Sequence, residues 1–491
     1  DKGQDKLLRC RFIGLYIIRA GLILCLPTMA MITNHEDLYK RGGAGDISSI
    51  KASSKITQKS AKSKLREKII TNKRFKVESL ELAEVVLSEV EEKEKVENSI
   101  KKLKHGRNVE ALTTLYRSFA KDWAHAETFI KCEGLPLLQG CFLSTDAELL
   151  HAAAWCAVNL SAGQSKVVKK VMCLSPTLIQ FLSGSDRVMQ ELCAWALANL
   201  AGDSQRNKQI LLEQGCVTSL VTLVATKYYM DFEDLLKSVL FALVNLAKDE
   251  TYACVRCMQE SSIYSHIVTL LTDISANCDL CYEIGWLLNC LYSRQETLTE
   301  YYNQLSPVLH LIVNKLPQFM QIENKSQREK VLLPYVHCVG NIIGQKLYLA
   351  VVLCQEVQFY TWILTCLQCS DLYIQSEVLW LVNNFMVEPS CRVLIIIQAN
   401  ILSAIFNLCH SSDVDIALQS LHLVQMMTKV STFILTYLVH QGLVGLLILL
   451  VTHHDHRILQ TTLDLLVHLV SVIPQVNGDV QLLSFVLCCC T

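Results

Sequence analysis

A ring-bearing residue followed four positions later by asparagine recurs along most of this chain. Residues four apart lie on the same side of an α-helix, so each pair predicts one helix with one shared face. The pair occurs in WCAVNL, WALANL, FALVNL, HCVGNI and WLVNNF, as Trp155/Asn159, Trp195/Asn199, Phe241/Asn245, His337/Asn341 and Trp380/Asn384. Trp286 in WLLNCL, Leu421 in SLHLVQMM and Leu463 in TLDLLVHLV continue the same phase.

The spacing of these anchors indicates a repeat. By subtraction of their positions, successive anchors lie 40 to 51 residues apart. A period of about 40–47 residues with two or three helices per unit is typical of armadillo and HEAT repeats. The chain has only 19 glycines and 8 prolines in 491 residues, which favours helices over short strands. We predict an all-α, right-handed armadillo-repeat solenoid of about eight repeats, over residues 99–475, with an irregular N-terminal arm.

A second landmark recurs in the same phase. Gly134, Gly215 and Gly442 each precede an apolar helix, at a position where a left-handed turn is expected, and Asn400 takes the glycine's place in IIIQANILSAIF. The stretch from Phe433 to Val451 lacks Lys, Arg, Asp and Glu, so its hydropathy alone would indicate a membrane span. Because Gly442 lies inside it, we predict two short helices buried between neighbouring repeats.

The runs HAAAWCAVNLSAG, ELCAWALANLAGDS and EVLWLVNNF resemble the armadillo repeats of importin alpha, the adaptor family that carries nuclear localisation signals. The resemblance covers roughly residues 62 to 475 and implies a concave groove for extended basic peptides. The groove residues that it implies are Trp155, Asn159, Trp195, Asn199, Asp203, Phe241, Asn245 and Trp286, with Asn341, Trp380 and Asn384 in a second, weaker site. Asp203 matches the acidic residue that meets the key lysine of the signal.

The chemistry of such a groove follows from its side chains. Asparagine amides can donate to and accept from a peptide backbone, and tryptophan faces attract cationic heads while their sides hold alkyl stems. Three positions depart from the pattern: Phe241 and His337 replace tryptophans, and Cys290 stands where Trp286 would have an asparagine. Tryptophan and asparagine at these positions could instead simply pack and cap inside the repeats.

The N-terminal region divides into three predicted segments. Residues 1–35 are an apolar leader, for which a membrane anchor, a cleaved signal and a gene-model artefact all remain open. Residues 36–77 form a basic flexible arm similar to a degenerate importin-beta-binding segment, and residues 78–98 an acidic helix. The arm's basic residues are Lys62, Lys64, Arg66, Lys68, Lys73, Arg74 and Lys76. Residues 476–491 form a C-terminal tail.

No motif for an enzyme is present, and no cofactor is expected. Cys254, Cys257, Cys278 and Cys281 have the spacing of a four-cysteine zinc site, but they lack turn residues and flank a repeat helix, so we expect no metal. The net charge of -1 gives no general attraction to nucleic acid. The expected function is a non-enzymatic adaptor in cytoplasm and nucleus that binds basic-signal cargo and, through the arm, importin beta. The alternative is a membrane-associated scaffold that docks other proteins.

Overall fold

The computed structural model describes residues 89–226, 232–248, 252–273, 277–292, 302–345, 347–354, 356–386 and 389–472. The predicted leader, the basic arm from Lys62 to Lys76 and the tail 476–491 lie outside these residues. The described residues fall into two compact units, an N-terminal unit up to Leu311 and a C-terminal unit from Ile312 onward.

All regular structure in the described residues is helical. Up to residue 291 the helices are α1 Glu89–His105, α2 Val109–Lys121, α3 Trp123–Lys131, α4 Gly134–Cys141, α5 Ala147–Ser161, α6 Ser165–Val171, α7 Ser175–Leu182, α8 Arg187–Asp203, α9 Gln205–Glu213, α10 Cys216–Ala225, α11 Glu233–Ala247, α12 Tyr252–Glu260, α13 Ile263–Asp273 and α14 Cys278–Leu291. From residue 302 they are α15 Tyr302–Met320, α16 Lys325–Gln345, α17 Leu347–Leu353, α18 Val357–Gln368, α19 Leu372–Phe385, α20 Pro389–Ile396, α21 Ala399–Leu408, α22 Val414–Thr428, α23 Thr432–His440, α24 Leu443–Leu450 and α25 His456–Val472.

These helices form repeats of three, each ending in a long helix that we call the third helix. The described helices α1–α2 and α15–α16, which follow residues outside the described ranges, also end in a third helix. In the N-terminal unit α2, α5, α8, α11 and α14 pack one against the next, and in the C-terminal unit α16, α19, α22 and α25 do the same. The predicted all-α armadillo-repeat fold is confirmed. Helix α1 continues beyond residue 98, where the acidic helix was predicted to end.

An acidic or amide side chain starts most third helices. Asp146 caps α5, Asp186 caps α8, Asp371 caps α19 and Asp413 caps α22, each accepting hydrogen bonds from backbone N–H groups of the first turn. Such a cap satisfies donors that have no partner within the helix and contributes about 1 kcal/mol. These caps fix where each third helix begins.

The predicted left-handed turns are confirmed at two positions and wrong at two others. Gly215 and Gly442 have φ values of 79° and 101°. Before α4 the left-handed residue is Glu133, not Gly134. A Cβ on Gly134 would lie 2.4 Å from the Phe129 ring, so the glycine allows close packing instead of a left-handed turn. Asn400 lies inside helix α21 and needs no such turn.

The apolar stretch from Phe433 to Val451 is broken, as predicted, into α23 and α24. No single described helix has the length and apolarity to cross a membrane, although these two helices, bent by 73°, pass that test when taken together. Leu438 and Leu447 are fully buried, but Phe433 is 78% exposed and Leu449 67% exposed. Burial of these two helices between neighbours is therefore incomplete.

Candidate functional site on the third helices

A row of aromatic side chains crosses the third helices of the N-terminal unit. Trp155 on α5 stacks on Tyr116 of α2, with ring centroids 5.6 Å apart and 28° between the ring planes. Trp195 on α8 meets Phe241 of α11 edge-to-face at 6.4 Å. Trp155 and Trp195 are half-buried, so part of each indole faces solvent. We call this side of the third helices the tryptophan face.

The asparagines of the repeated motif lie beneath this face. Asn159, Asn199 and Asn245 are only 1%, 2% and 4% exposed. The Asn199 amide donates to the Val158 carbonyl at 3.2 Å, and the Asn245 amide donates to the Ala198 carbonyl at 2.9 Å. Each asparagine thus joins its own third helix to the preceding one. Peptide contact by these asparagines stays a prediction; what the structure describes is an inter-helix clamp.

The clamp has a constant register. Its acceptor is the residue immediately before the asparagine position of the preceding third helix, as Val158 precedes Asn159 and Ala198 precedes Asn199. Asn159 donates in the same way to the Tyr116 carbonyl at 2.8 Å. Arg117 therefore occupies the asparagine position of α2.

Charged groups flank the tryptophans. His151, one turn before Trp155, lies with Nε2 2.6 Å from Oδ2 of Asp186. Burial raises the pKa of Asp186, but hydrogen bonds from the Met189 amide and from His151 outweigh it and hold that pKa below its ordinary value. The half-buried Glu191 lies one turn before Trp195 on α8. Glu191 thus lies one helical turn from Trp195, and Asp186 pairs with the histidine one turn from Trp155.

Asp203 is the last residue of helix α8, two turns beyond Trp195. The two oxygens of its carboxylate have different surroundings. Its Oδ1 accepts a hydrogen bond from the Ser165 hydroxyl at 2.6 Å. Its Oδ2 is buried and has no hydrogen-bond partner among the described residues. Because Oδ2 has almost no accessible surface, a donor from outside the protein would meet the carboxylate on its exposed Oδ1 side.

The C-terminal unit carries a second, different cluster. Trp380 packs so closely over Gly340 that a Cβ there would lie 2.3 Å from the indole, and the Asn384 amide donates to the Gly340 carbonyl at 3.1 Å. His337, in a tryptophan position, lies 5.4 Å from the Trp380 ring and contacts Oε2 of the buried Glu377 at 2.8 Å. The clamp therefore recurs here, beside an imidazole–carboxylate pair.

The predicted site residues differ in their access to solvent. Phe241 and Trp286 are buried, at 5% and 2% exposure, so neither presents a ring face as Trp155 and Trp195 do. The predicted site residues that are half-buried are Trp155, Trp195, Asp203, Asn341, Trp380 and Asn384. Among the described residues, no three His, Cys, Asp or Glu side chains come together in a group that could hold a metal ion.

Tyr116 and Arg117 are not among the residues predicted from the sequence. Helix α2 has Thr113 and Arg117 where α5, α8, α11, α16 and α19 have a ring and an asparagine, so the motif does not mark it. The signal that could have found it is spacing, since Thr113 lies one repeat length before Trp155. Glu377 and Asp186 were missed because their roles depend on contacts between repeats.

Sequence comparison places this architecture among known proteins. Importin subunit alpha-9 of Arabidopsis thaliana is 24% identical over 320 residues, covering 63% of this chain and 59% of the relative. The chain has an armadillo-repeat fold and is similar in sequence to importin alpha subunits. The probable importin subunit alpha-A of Dictyostelium discoideum is 27% identical over 176 residues, covering 32% of each chain. No protein-family model matches the chain.

The solved structures agree on the fold. The crystal structure of an engineered protein matches with a TM-score of 0.64 at 18% identity, covering 75% of this chain and 87% of that one. At this identity the match shows the helical repeat architecture alone. The chain spans only about three fifths of the length of importin subunit alpha-9.

Proposed function

We propose that this protein is a non-enzymatic adaptor that binds extended, lysine-rich peptides on the tryptophan face of its N-terminal unit. The observation that carries the proposal is the pair of half-buried indoles, Trp155 and Trp195, on adjacent third helices with acidic side chains beside them. Indole faces attract ammonium and guanidinium groups, and the carboxylates complement the same charge.

The dimensions of the face suit an extended peptide. Packed helices lie about 8–10 Å apart, and an extended chain advances about 3.3–3.4 Å per residue. About three residues of peptide therefore pass between Trp155 and Trp195. The Asn clamp holds both helices in register beneath the indoles, which limits the conformational entropy lost on binding.

Asp203 supplies the proposed anchor for one lysine. Ser165 orients the carboxylate by donating to Oδ1, and this exposed side of the carboxylate is where a lysine could approach. An ammonium group bound there would gain a charge-assisted hydrogen bond. The cluster of His337, Trp380 and Glu377 in the C-terminal unit is proposed as a weaker second site.

The proposed cellular role follows from the relatives. We propose that the cargo carries nuclear localisation signals, that the protein moves between cytoplasm and nucleus, and that importin beta engages the basic arm. The order of a basic arm followed by armadillo repeats also resembles that of transmembrane and coiled-coil domain protein 6. The arm lies outside the described residues, so its part in the proposal rests on sequence alone.

A double substitution tests the binding face. Replacing Trp155 and Trp195 by alanine should weaken binding of a fluorescein-labelled lysine-run peptide by about 2–4 kcal/mol, roughly 30- to 1,000-fold in Kd. Fluorescence anisotropy measures the affinity, and circular dichroism checks that helix content is retained. Binding should also weaken as salt rises, because exposed charges are screened.

Trp123→Ala is the matched control. Trp123 is 45% exposed on α3, lies on no third helix and contacts Lys166 instead. Its removal should leave the Kd unchanged. If the double variant binds the peptide as tightly as the control does, the tryptophan face is not the site.

A further inference from the structure

Helix α6, the first helix of the repeat that ends in α8, has a solvent face that carries only positive charge. Lys169 and Lys170 follow Lys166 by three and four residues, so the three side chains lie on one side of the helix, and all three are exposed. The valines between them form the buried side. No acidic residue occurs in the helix sequence SKVVKKV, so nothing within α6 offsets this charge.

The neighbouring helix α3 extends this surface. Trp123 is 45% exposed, and the Lys166 ammonium lies 5.5 Å from the centroid of its ring. Glu127 of α3 forms an ion pair with Lys166 through one oxygen and with Lys131, at 3.8 Å, through the other. The surface thus combines four lysines with one glutamate and one exposed indole. We call the surface formed by Trp123 and these four lysines the lysine patch.

The single carboxylate of Glu127 neutralises only part of the lysine patch. Two lysines share it, whereas the side chains of Lys169 and Lys170 form neither an ion pair nor a hydrogen bond within the part of the chain that the structure describes. Asp203 lies at the start of α6, where it accepts a hydrogen bond from Ser165 at 2.6 Å. The patch therefore keeps a net positive charge.

The first helices of the next two repeats do not share this charge. On α9 the Gln209 amide donates to Glu213 at 2.9 Å, and on α12 Arg256 pairs with Glu260 at 2.9 Å. Each of these helices carries acidic and basic residues together. The positive surface is therefore local to α6 and α3.

We propose that the lysine patch binds an extended acidic segment of a partner protein, with a bulky apolar side chain of that segment against Trp123. Side chains on one side of an extended segment recur about every 6.7 Å, and four residues of α-helix rise about 6 Å. Two acids that stand two residues apart therefore match the distance along α6 from Lys166 to Lys170. Carboxylates complement the ammonium groups, and the indole offers apolar surface beside them.

The small extent of the lysine patch favours a peptide over a nucleic acid. Proteins that bind single strands follow the backbone with a positively charged groove over about 4–16 nucleotides. The patch covers about two helical turns of α6 and the adjoining side of α3. The first helices α9 and α12 of the next repeats carry mixed charges and do not prolong it. A short acidic segment needs no longer surface.

A charge reversal tests the proposal. The probe is a fluorescein-labelled peptide of alternating glutamate and serine with one central leucine, and fluorescence anisotropy at low salt measures its Kd for the full chain. Replacing both Lys169 and Lys170 by glutamate should weaken binding about five- to twentyfold, because two attractive contacts become repulsive. Both side chains are exposed, so circular dichroism should show unchanged helix content.

The matched control replaces Lys101 and Lys104 by glutamate. These two lysines are exposed near the C-terminal end of α1, as Lys169 and Lys170 are on α6, so the change in net charge is the same. The control variant should keep the Kd of the parent protein within about twofold. The proposal is overturned if the acidic peptide does not bind, or if both double variants weaken it equally.

Two further measurements define the ligand. Trp123→Ala should remove most of the preference, about threefold or more, for the leucine peptide over one with serine in its place. A single-stranded oligothymidine should compete poorly with the acidic peptide. The proposal is also overturned if the oligothymidine binds more tightly than the peptide and loses this affinity when Lys169 and Lys170 are replaced.

This proposal and the proposed function fail separately. The variant with alanine at Trp155 and Trp195 should bind the acidic peptide as the parent protein does, since the lysine patch lies on first helices. If the lysine-run peptide binds and the acidic peptide does not, only the acidic-partner inference fails. If the acidic peptide binds at the lysine patch and the lysine-run peptide does not bind, the tryptophan face fails and this inference stands.

Discussion

Replacing Asn199 by aspartate is expected to destabilise the N-terminal unit by about 3–5 kcal/mol. The change keeps the side-chain shape, but it removes the amide donor and sets a carboxylate against the Val158 carbonyl at a position only 2% exposed. The Val158 carbonyl also accepts from the Ala162 amide, so the dominant cost is the buried, repelled charge. Guanidinium unfolding followed by circular dichroism measures the loss.

Asn400→Asp is the matched control. Asn400 is exposed in the first turn of α21, where a negative charge is tolerated or slightly favourable, so the unfolding free energy should change by about 0.5 kcal/mol or less. The Asn199→Asp defect should also shrink at acidic pH, since a protonated carboxyl can donate to Val158. Equal stability of the two variants at neutral pH would contradict the clamp.

Replacing Gly340 by valine is expected to destabilise the C-terminal unit by about 2–3 kcal/mol. A Cβ at this position would lie 2.3 Å from the indole of Trp380, far inside van der Waals contact. The indole would have to leave its place, which would also disturb its contact with His337. Unfolding free energy and the emission maximum of Trp380 fluorescence, isolated by difference from a Trp380→Phe variant, measure both effects.

The same substitution at Gly445 separates this clash from backbone effects. Gly445 lies in the middle of helix α24, and a Cβ there meets nothing within 4 Å. Gly445→Val should therefore leave stability unchanged or slightly raise it, because glycine is a poor helix residue. If Gly340→Val is as mild as Gly445→Val, Trp380 does not pack over Gly340 as described.

The repeat architecture was readable from sequence because its landmarks are local. The spacing of Trp155, Trp195 and Trp380 fixed the third helices, and Gly215 and Gly442 marked left-handed turns that glycine adopts without strain. Glu133 could not be predicted, since glutamate rarely adopts a left-handed turn and the neighbouring Gly134 instead packs closely on Phe129. A local sequence pattern predicts a turn only where the residue type alone determines the backbone conformation.

The candidate site was harder to predict from the sequence, because the burial of each side chain depends on the neighbouring repeats. Third helices are apolar on nearly all sides, so the sequence cannot show that Asn199 faces the preceding helix while Trp195 keeps an edge in solvent. Nor could it place Arg117 in the asparagine position, because only the hydrogen bond from Asn159 to Tyr116 establishes the register of α2. Contacts between repeats decide these roles.

The central claim is that a lysine-rich peptide lies across the tryptophan face, and photo-cross-linking tests it most directly. A lysine-run peptide carrying a diazirine side chain is bound, irradiated, and its attachment points are mapped by mass spectrometry. The account predicts attachment on α5 and α8 beside Trp155 and Trp195, lost when both are alanine. Attachment confined to helix α1, or to first and second helices of the repeats, would contradict it.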